Sequence, residues 1–140
     1  GKGCQTLATS TEAYPAYASQ ALAATRDWAE AHGDLVTRYI GALLAALTWL
    51  YTPGERAAVE TLLAGEPALG VGGEVSAAQA YAAFTDPALG FGRAAALSEA
   101  GLAQVIALRA RYGGDTVASL GQPADYCDLR WYERARATAE

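Results

Sequence analysis

The chain of 140 residues contains no methionine, one histidine, two cysteines and one lysine. Charged residues make up 18% of it, and the excess of acidic over basic residues gives a formal net charge of -5. Nucleic-acid binding requires clustered Lys and Arg that neutralise phosphates, so we expect no nucleic-acid partner. The cysteines lack the CxxC spacing of zinc and redox sites, and no DxD or HExxH pattern gathers metal ligands. We therefore expect no metal and no cofactor.

The N-terminus and the cysteines bear on how the chain is made. Because methionine is absent, we expect that Gly1 is not a native start and that the chain is a processed product or an excised portion of a longer protein. The first residues lack the charged and apolar segments of a signal peptide. Cys4 and Cys127 lie near opposite ends of the sequence. A disulfide between them in an exported protein and two unrelated thiols both fit the sequence, and two thiols are the simpler interpretation.

Apolar residues are abundant, at 52% of the chain. The longest apolar run, residues 40–51, contains Thr48 as its one polar residue, and it is much shorter than the roughly 20 residues that span a bilayer. Leucines at three- and four-residue spacing predict that a helix over residues 35–51 lies buried at the centre of a globular core. Replacement of Leu43 or Leu47 by Ala is then expected to be strongly destabilising.

The remaining helices are predicted from their ends. Thr25 is a candidate N-cap for a helix that ends at Gly33. Thr52-Pro53-Gly54-Glu55 and Ser76-x-x-Gln79 match capping boxes, and Gly113 follows a long apolar pattern. The predicted helices cover residues 26–31, 35–51, 53–64, 77–84, 95–112 and about 129–137, the last one capped by Asp128.

The first 24 residues have a different pattern. Residues 5–9 and 18–23 alternate weakly between polar and apolar side chains, which is compatible with two brief strands. We therefore predict a mainly α chain with one or two short β-strands near the N-terminus. Its organisation is a strand segment over residues 1–24 and a helical region over residues 25–140, within one structural unit.

Groups suited to catalysis are few. His32 precedes Gly33 at a predicted helix end, where the helix dipole favours a C-terminal capping role. No motif around it supplies a nucleophile or an orienting acid. The Gly-rich residues 70–73 lack the Lys-Ser/Thr of a phosphate-binding loop and predict a flexible connection. Cations and rings over residues 130–136 predict an amphipathic helix that docks by its rings. We expect that the protein is not an enzyme.

Residues 23–39 (AATRDWAEAHGDLVTRY) resemble a segment of the extracytoplasmic solute-binding proteins of ABC importers. The resemblance is to the group that handles nitrate, sulfonates, taurine and thiamine-pyrimidine precursors. In that family a pattern like A-T/S-R-x-F/W-A-x-x-x-P-D-x-V-x-x-F precedes a long helix with Ala and Trp, and here Ala46 and Trp49 follow. Gly33 stands where the family often has Pro, and both residues break a helix. Residues 1–8, 97–109 and 123–132 are similar, in the same order, to the family's early strand, late helix and closing segment.

The resemblance implies a fold and a function. The fold would be the C-terminal fragment of a two-lobed α/β periplasmic-binding-protein fold, without the first lobe. The protein would be periplasmic or extracytoplasmic and would capture a small organic or anionic solute, such as a sulfonate, nitrate or a pyrimidine precursor, for the membrane permease of an ABC importer. Exposed strand edges and apolar faces would favour a homodimer. The alternative is a helical self-association or protein-interaction module without small-molecule binding.

The resemblance also implies where a solute would bind, because the hinge-proximal stretch of the family lies near the cleft between its lobes. The corresponding stretch is residues 9–17. Hydroxyls of Thr9 and Ser10 can donate to an anionic group while the rings of Tyr14 and Tyr17 stack on an organic body. Trp28 is a further candidate ligand-binding residue. The same rings also suit ordinary packing at a hinge.

Overall fold

A computed structural model of the chain describes residues 3, 5, 7–18, 21–71 and 75–139. Helices make up 63% of the structure, which confirms the prediction of a mainly α chain. Two short 3-10 turns, Pro53–Glu55 and Pro67–Leu69, accompany the α-helices. In the described ranges the α-helices are α1 (Ser10–Ala13), α2 (Arg26–Ala31), α3 (Gly33–Leu50), α4 (Arg56–Ala64), α5 (Ala77–Phe84), α6 (Glu99–Tyr112), α7 (Val117–Leu120), α8 (Pro123–Tyr126) and α9 (Arg130–Ala139).

The two brief strands predicted near the N-terminus find no support in the described residues of those stretches. Positions 6, 19 and 20 of the predicted strands lie outside the described residues. In the first stretch a helix cap replaces the strand: the Thr9 hydroxyl accepts from the Glu12 N–H at 3.3 Å, and the Thr9 N–H donates to Glu12 Oε2 at 2.6 Å. Such local bonds compete with strand pairing. The β feature seen among the described residues is an isolated bridge between Val71 and Val75.

The chain forms two compact units, each made of two segments. Unit 1 consists of Gly1–Thr25 and Leu97–Leu129, and unit 2 consists of Arg26–Ala96 and Arg130–Glu140. The predicted change of character after residue 24 falls beside the first passage from unit 1 to unit 2. That the chain acts as one structural unit stays a prediction.

Unit 2 has an apolar core where α3, α4 and α5 meet. Its buried side chains are Leu47, Leu50, Val59, Leu63 and Ala80. The predicted long helix is therefore present as α3, but its buried side chains, Leu47 and Leu50, both lie near the C-terminal end. Leu43 is 38% exposed and Tyr39 is 54% exposed, so the expectation that Leu43 is a core residue is wrong.

Taken singly, none of the described helices is long and apolar enough to cross a membrane. Together, α3 and Pro53–Ala64 pass that test of length and composition, with a bend of 82° between them.

The two predicted capping boxes have different outcomes, and both lie in unit 2. At the start of α5, the Ser76 hydroxyl accepts from the Gln79 N–H and the Gln79 side chain accepts from the Ser76 N–H, which confirms that box. The box at Thr52 does not form: the Glu55 N–H donates to the Thr52 carbonyl at 3.0 Å, and the Thr52 hydroxyl donates to the Thr48 carbonyl at 2.8 Å. The Glu55 carboxylate accepts from Trp49 Nε1 at 2.8 Å instead. The chain therefore makes a 3-10 turn before α4 begins.

Unit 1 is built around α6, against which α7 and α8 pack. Ser98 caps α6 by accepting from the Gly101 N–H at 3.2 Å, so the helix begins four residues later than predicted. It ends before Gly113, as predicted. Gly101 lies so close to the loop of residues 16–18 that a Cβ at position 101 would be 2.5 Å from the Ala16 carbonyl oxygen. This loop therefore packs directly on the first turn of α6.

Candidate functional site

Helix α1 and the turn after it bring together four of the five predicted ligand-binding residues. Thr9 and Ser10 start the helix, the Tyr14 N–H donates to the Ser10 carbonyl at 2.7 Å, and the Tyr17 N–H donates to the Tyr14 carbonyl at 3.1 Å. Tyr14 is half-buried, whereas Tyr17 is 43% exposed. The exposed ring of Tyr17 is therefore the better placed of the two for stacking on a solute.

A carboxylate lies beside the hydroxyl groups of this predicted site. The hydrogen bonds from the Thr9 backbone N–H, and secondly from its hydroxyl, hold the pKa of Glu12 below its ordinary value. The Glu12 side chain is therefore charged at neutral pH and repels an anionic group near Thr9. The Thr9 hydroxyl itself serves as a helix cap and also bonds to the Thr11 hydroxyl at 3.1 Å. A neutral heterocycle suits this environment better than an anion.

Trp28 lies on α2, in unit 2, whereas the other four predicted residues belong to unit 1. Its ring stacks on the imidazole of His32 with centroids 4.6 Å apart. His32 Nδ1 donates to the Trp28 carbonyl at 2.8 Å, which confirms the predicted helix-end role of this histidine. Trp28 is 45% exposed, so part of its side chain is accessible to solvent.

Helix α9 packs on the junction of α2 and α3 through a tryptophan. The ring of Trp131 lies so close to Gly33 that a Cβ at position 33 would be 2.5 Å from one ring carbon. Two ion pairs flank this contact: Arg130 with Glu30 at 2.6 Å and Arg134 with Asp34 at 3.2 Å. The prediction of a terminal helix docked by its rings is confirmed here. A shallow cavity of about 260 Å³ is lined by Glu30, Ala31, His32, Gly33, Asp34, Leu35, Trp131 and Arg134.

A second shallow cavity, of about 300 Å³, lies at the C-terminal end of α3. Its lining residues are Leu47, Thr48, Tyr51, Thr52, Pro53 and Arg93. The guanidinium carbon of Arg93 is 4.3 Å from the centroid of the Tyr51 ring. No sequence pattern pointed to Arg93, because the contact joins positions far apart in the chain and sits in a loop without a motif.

The thiol and the acidic side chains were the remaining candidates for chemistry. In the part of the chain that the structure describes, no three His, Cys, Asp or Glu residues are grouped so as to hold a metal ion. Cys127 is a free thiol, and Cys4 lies outside the described residues. Burial, together with the charges of Glu99 and Asp128, raises the pKa of the Cys127 thiol. A thiol kept protonated in this way is a poor nucleophile.

Comparisons with known proteins give no match: no family model fits the sequence, no curated protein matches it and no solved structure is similar to it. The resemblance to solute-binding proteins therefore rests on the quoted sequence patterns alone. Any statement about what this chain binds has to be built from its own residues.

Proposed function

We propose that the chain is the C-terminal, mainly helical portion of an extracytoplasmic solute-binding protein that serves an ABC importer. In this role it captures a small solute without changing it chemically and presents it to the permease in the membrane. The finer assignment, a fragment of a two-lobed α/β periplasmic-binding-protein fold, belongs to the same proposal. Binding in such a protein comes from closure of two lobes on the ligand, a hinge motion selected by differential affinity.

The observation that carries the proposal is the contact between two segments that resemble the family. Gly33 belongs to the resembling stretch over residues 23–39, and Trp131 belongs to the one over residues 123–132. They touch in unit 2, where Glu30 also pairs with Arg130 at a sequence separation of 100 residues. Contacts between distant segments occur in any folded unit; here the contact joins two of the stretches that carry the resemblance, as parts of one inherited fold would be joined. The break between α2 and α3 lies at His32, next to Gly33, the position where the family often has Pro.

Among the solute classes that the resemblance implies, the environment of the predicted site favours a neutral heterocycle such as a pyrimidine precursor. An exposed ring, Tyr17, is available for stacking, and the neighbouring Glu12 carboxylate disfavours sulfonate or nitrate. A carboxylate can also accept hydrogen bonds from ring N–H and amino groups. Ser10, which is exposed at the first position of α1, adds a hydroxyl.

Calorimetric titration of the protein with a pyrimidine, a sulfonate and nitrate tests this proposal. We expect heat with the pyrimidine, and Tyr17→Ala should weaken binding by at least about 1 kcal/mol. Tyr112→Ala is the matched control, because Tyr112 is also an exposed tyrosine of unit 1 but lies at the far end of α6. Equal weakening by both variants, or no binding of any of the three solutes, would contradict the proposal.

A second candidate function is self-association through helices, and the exposed face of α3 favours it. Leu35, Tyr39 and Leu43 recur at four-residue spacing on α3 and are all exposed, so they form an apolar stripe on one side of the helix. Such stripes are often covered by a partner, and a two-fold dimer is the commonest closed arrangement. A homodimer of this chain would bury the stripe against its own copy.

Light scattering coupled to size-exclusion chromatography tests self-association. We expect the mass of a dimer at high micromolar concentration and the mass of a monomer for Leu35→Glu. Leu62→Glu is the control, since Leu62 is an exposed leucine on α4 that is not part of the stripe. A monomeric parent protein would rule out this candidate. Tyr17→Ala should leave the mass unchanged, which separates the two candidate functions.

A further inference from the structure

The Arg93 guanidinium lies over an aromatic ring that is itself held in place. The Tyr51 hydroxyl is shared between the Phe84 carbonyl, at 3.4 Å, and the Phe91 carbonyl. These bonds fix the ring, and the Arg93 guanidinium carbon sits 4.3 Å from its centroid. An arginine stacked in this way leaves the N–H groups at the edge of its guanidinium free to donate.

In the part of the chain that the structure describes, no acid is paired with the charge of Arg93. Among the residues that the structure describes, Arg56, Arg109, Arg130 and Arg134 each pair with a carboxylate at 3.2 Å or less. Arg93 has no carboxylate within ion-pair distance in the same described part of the chain. A stacked guanidinium that faces a cavity without a counter-charge is suited to receive an anion from solution.

The walls of the cavity limit what else the anion can carry. Leu47 and Pro53 supply apolar surface. The Thr48 hydroxyl donates to the Leu44 carbonyl at 3.0 Å and the Thr52 hydroxyl donates to the Thr48 carbonyl at 2.8 Å, so neither hydroxyl hydrogen is left for a ligand. A volume of about 300 Å³ is at the small end of ligand pockets. The body of the ligand must therefore be small and largely apolar.

We propose that this cavity is a binding site for a small organic monocarboxylate. The planar carboxylate can take two parallel hydrogen bonds from the Arg93 guanidinium, and the apolar walls of the cavity favour an organic body over a bare inorganic anion. Its apolar body rests on Leu47 and Pro53. The proposal stands apart from solute capture at residues 9–17, because all lining residues of the cavity belong to unit 2 and none is a predicted ligand-binding residue.

The experiment is a titration with benzoate and butyrate, followed by calorimetry and by the NMR signals of the arginine Nε–Hε groups. We expect the Arg93 signal to shift and binding to weaken at least about tenfold in R93Q, which removes the charged hydrogen bonds. A second variant, T48L, keeps the charge but fills the cavity with a larger side chain and should weaken binding similarly. Thr48 is exposed on α3, so this change is compatible with folding.

The control is R111Q, which removes one positive charge elsewhere. The Arg111 guanidinium also lies over a ring, that of Tyr112, at 5.1 Å, but it does not line the cavity. Affinity in R111Q should equal that of the parent. Equal weakening in R111Q would show that positive charge attracts the carboxylate without a specific site. Unchanged binding in T48L would place the carboxylate outside this cavity. Either result, or no binding by the parent protein, overturns the proposal. Pyrimidine binding should persist in R93Q, so a failure here is distinguishable from a failure of the proposed function.

Discussion

The two units of the chain are stabilised in different ways. In unit 2 the buried side chains of α3, α4 and α5 form a continuous apolar cluster, and Ala135 of α9 is fully buried. Among the described residues of unit 1, Gly101 alone is buried, and a glycine has no side chain to bury. Unit 1 relies instead on side chains that cap its helices, at Thr9, Ser98 and Thr116. Unit 2 thus has a core of buried side chains, whereas unit 1 combines half-buried side chains of α6 with helix caps, so the caps should contribute a larger share of its stability.

The largest effect is expected from Leu47→Ala in the core of unit 2. Leu47 is 6% exposed and belongs to the buried cluster, so the change removes buried surface and leaves a cavity. The free energy of unfolding should fall by about 2 to 5 kcal/mol. Urea denaturation followed by circular dichroism measures it.

Leu43→Ala is the matched control, one helical turn earlier in α3. Because Leu43 is 38% exposed, the same change should cost roughly half as much or less. Equal losses in the two variants would mean that the core extends along α3 as the leucine spacing alone predicts, and the contrast between a buried end and an exposed start would be wrong.

The next effect concerns the close contact between α3 and α9 in unit 2. A methyl group in Gly33→Ala would lie 2.5 and 2.6 Å from two ring carbons of Trp131, so the ring or the helices must shift, at a cost of about 1 to 3 kcal/mol. Gly41→Ala is the control in the same helix, since a Cβ there meets nothing within 4 Å. That change should stabilise the protein by about 0.5 to 1 kcal/mol, because Gly is a poor helix former. Thermal unfolding of both variants should therefore shift in opposite directions.

The fold could be predicted from the sequence where its signals are local. The ends of α2 and α5, and the C-terminus of α6, follow from Thr, Ser, Gln and Gly at fixed offsets, and they are confirmed. The capping box predicted at Thr52 is absent, since the Glu55 carboxylate binds the Trp49 indole N–H and the Thr52 hydroxyl binds the Thr48 carbonyl. The prediction that α3 is buried along its length was wrong for a different reason. Periodicity shows which side chains share a face, but it does not show where along the helix a partner covers that face.

The candidate sites show the same limit. The stretch over residues 9–17 could be predicted because its hydroxyls and rings are close in sequence, and one helical turn keeps them close in space. The Arg93 cavity could not be predicted from the sequence, because Arg93 reaches Tyr51 only after the loop that follows α5 has folded back towards α3. Asp86 closes that loop by accepting from the N–H groups of Ala88 and Leu89, at 2.8 Å each.

A smaller effect is expected from the loss of a helix cap in unit 1. Ser98→Ala removes the acceptor for the Gly101 N–H at the start of α6, which should cost about 1 kcal/mol. Ser10→Ala is the control, since Thr9 and not Ser10 caps α1, and it should change stability by less than about 0.5 kcal/mol. Hydrogen exchange of the first amides of α6 locates the loss. If Ser98→Ala leaves those amides as protected as before, unit 1 does not depend on its caps.

The smallest effect is a pH dependence of α1. Hydrogen bonds from Thr9 lower the pKa of Glu12 in the folded state, so the carboxylate stabilises α1 at any pH above its unfolded pKa, ordinarily about 4.3. This contribution is lost as the pH falls through the lower, folded pKa, when the protonated side chain no longer accepts the Thr9 N–H as strongly.

A carbon NMR titration of Glu12, with the Thr9 amide as a second probe, should show both signals moving together at a pH below the ordinary pKa of a glutamate. Glu12→Gln should abolish the movement of the Thr9 amide, because Gln does not titrate. A Glu12 carboxyl that titrates at its ordinary pKa would show that the capping box does not persist in solution. In contrast, the buried residues that the structure describes in the core of unit 2 are all apolar, so acidification over the same range should leave the amides of this core protected and make the difference between the units directly visible.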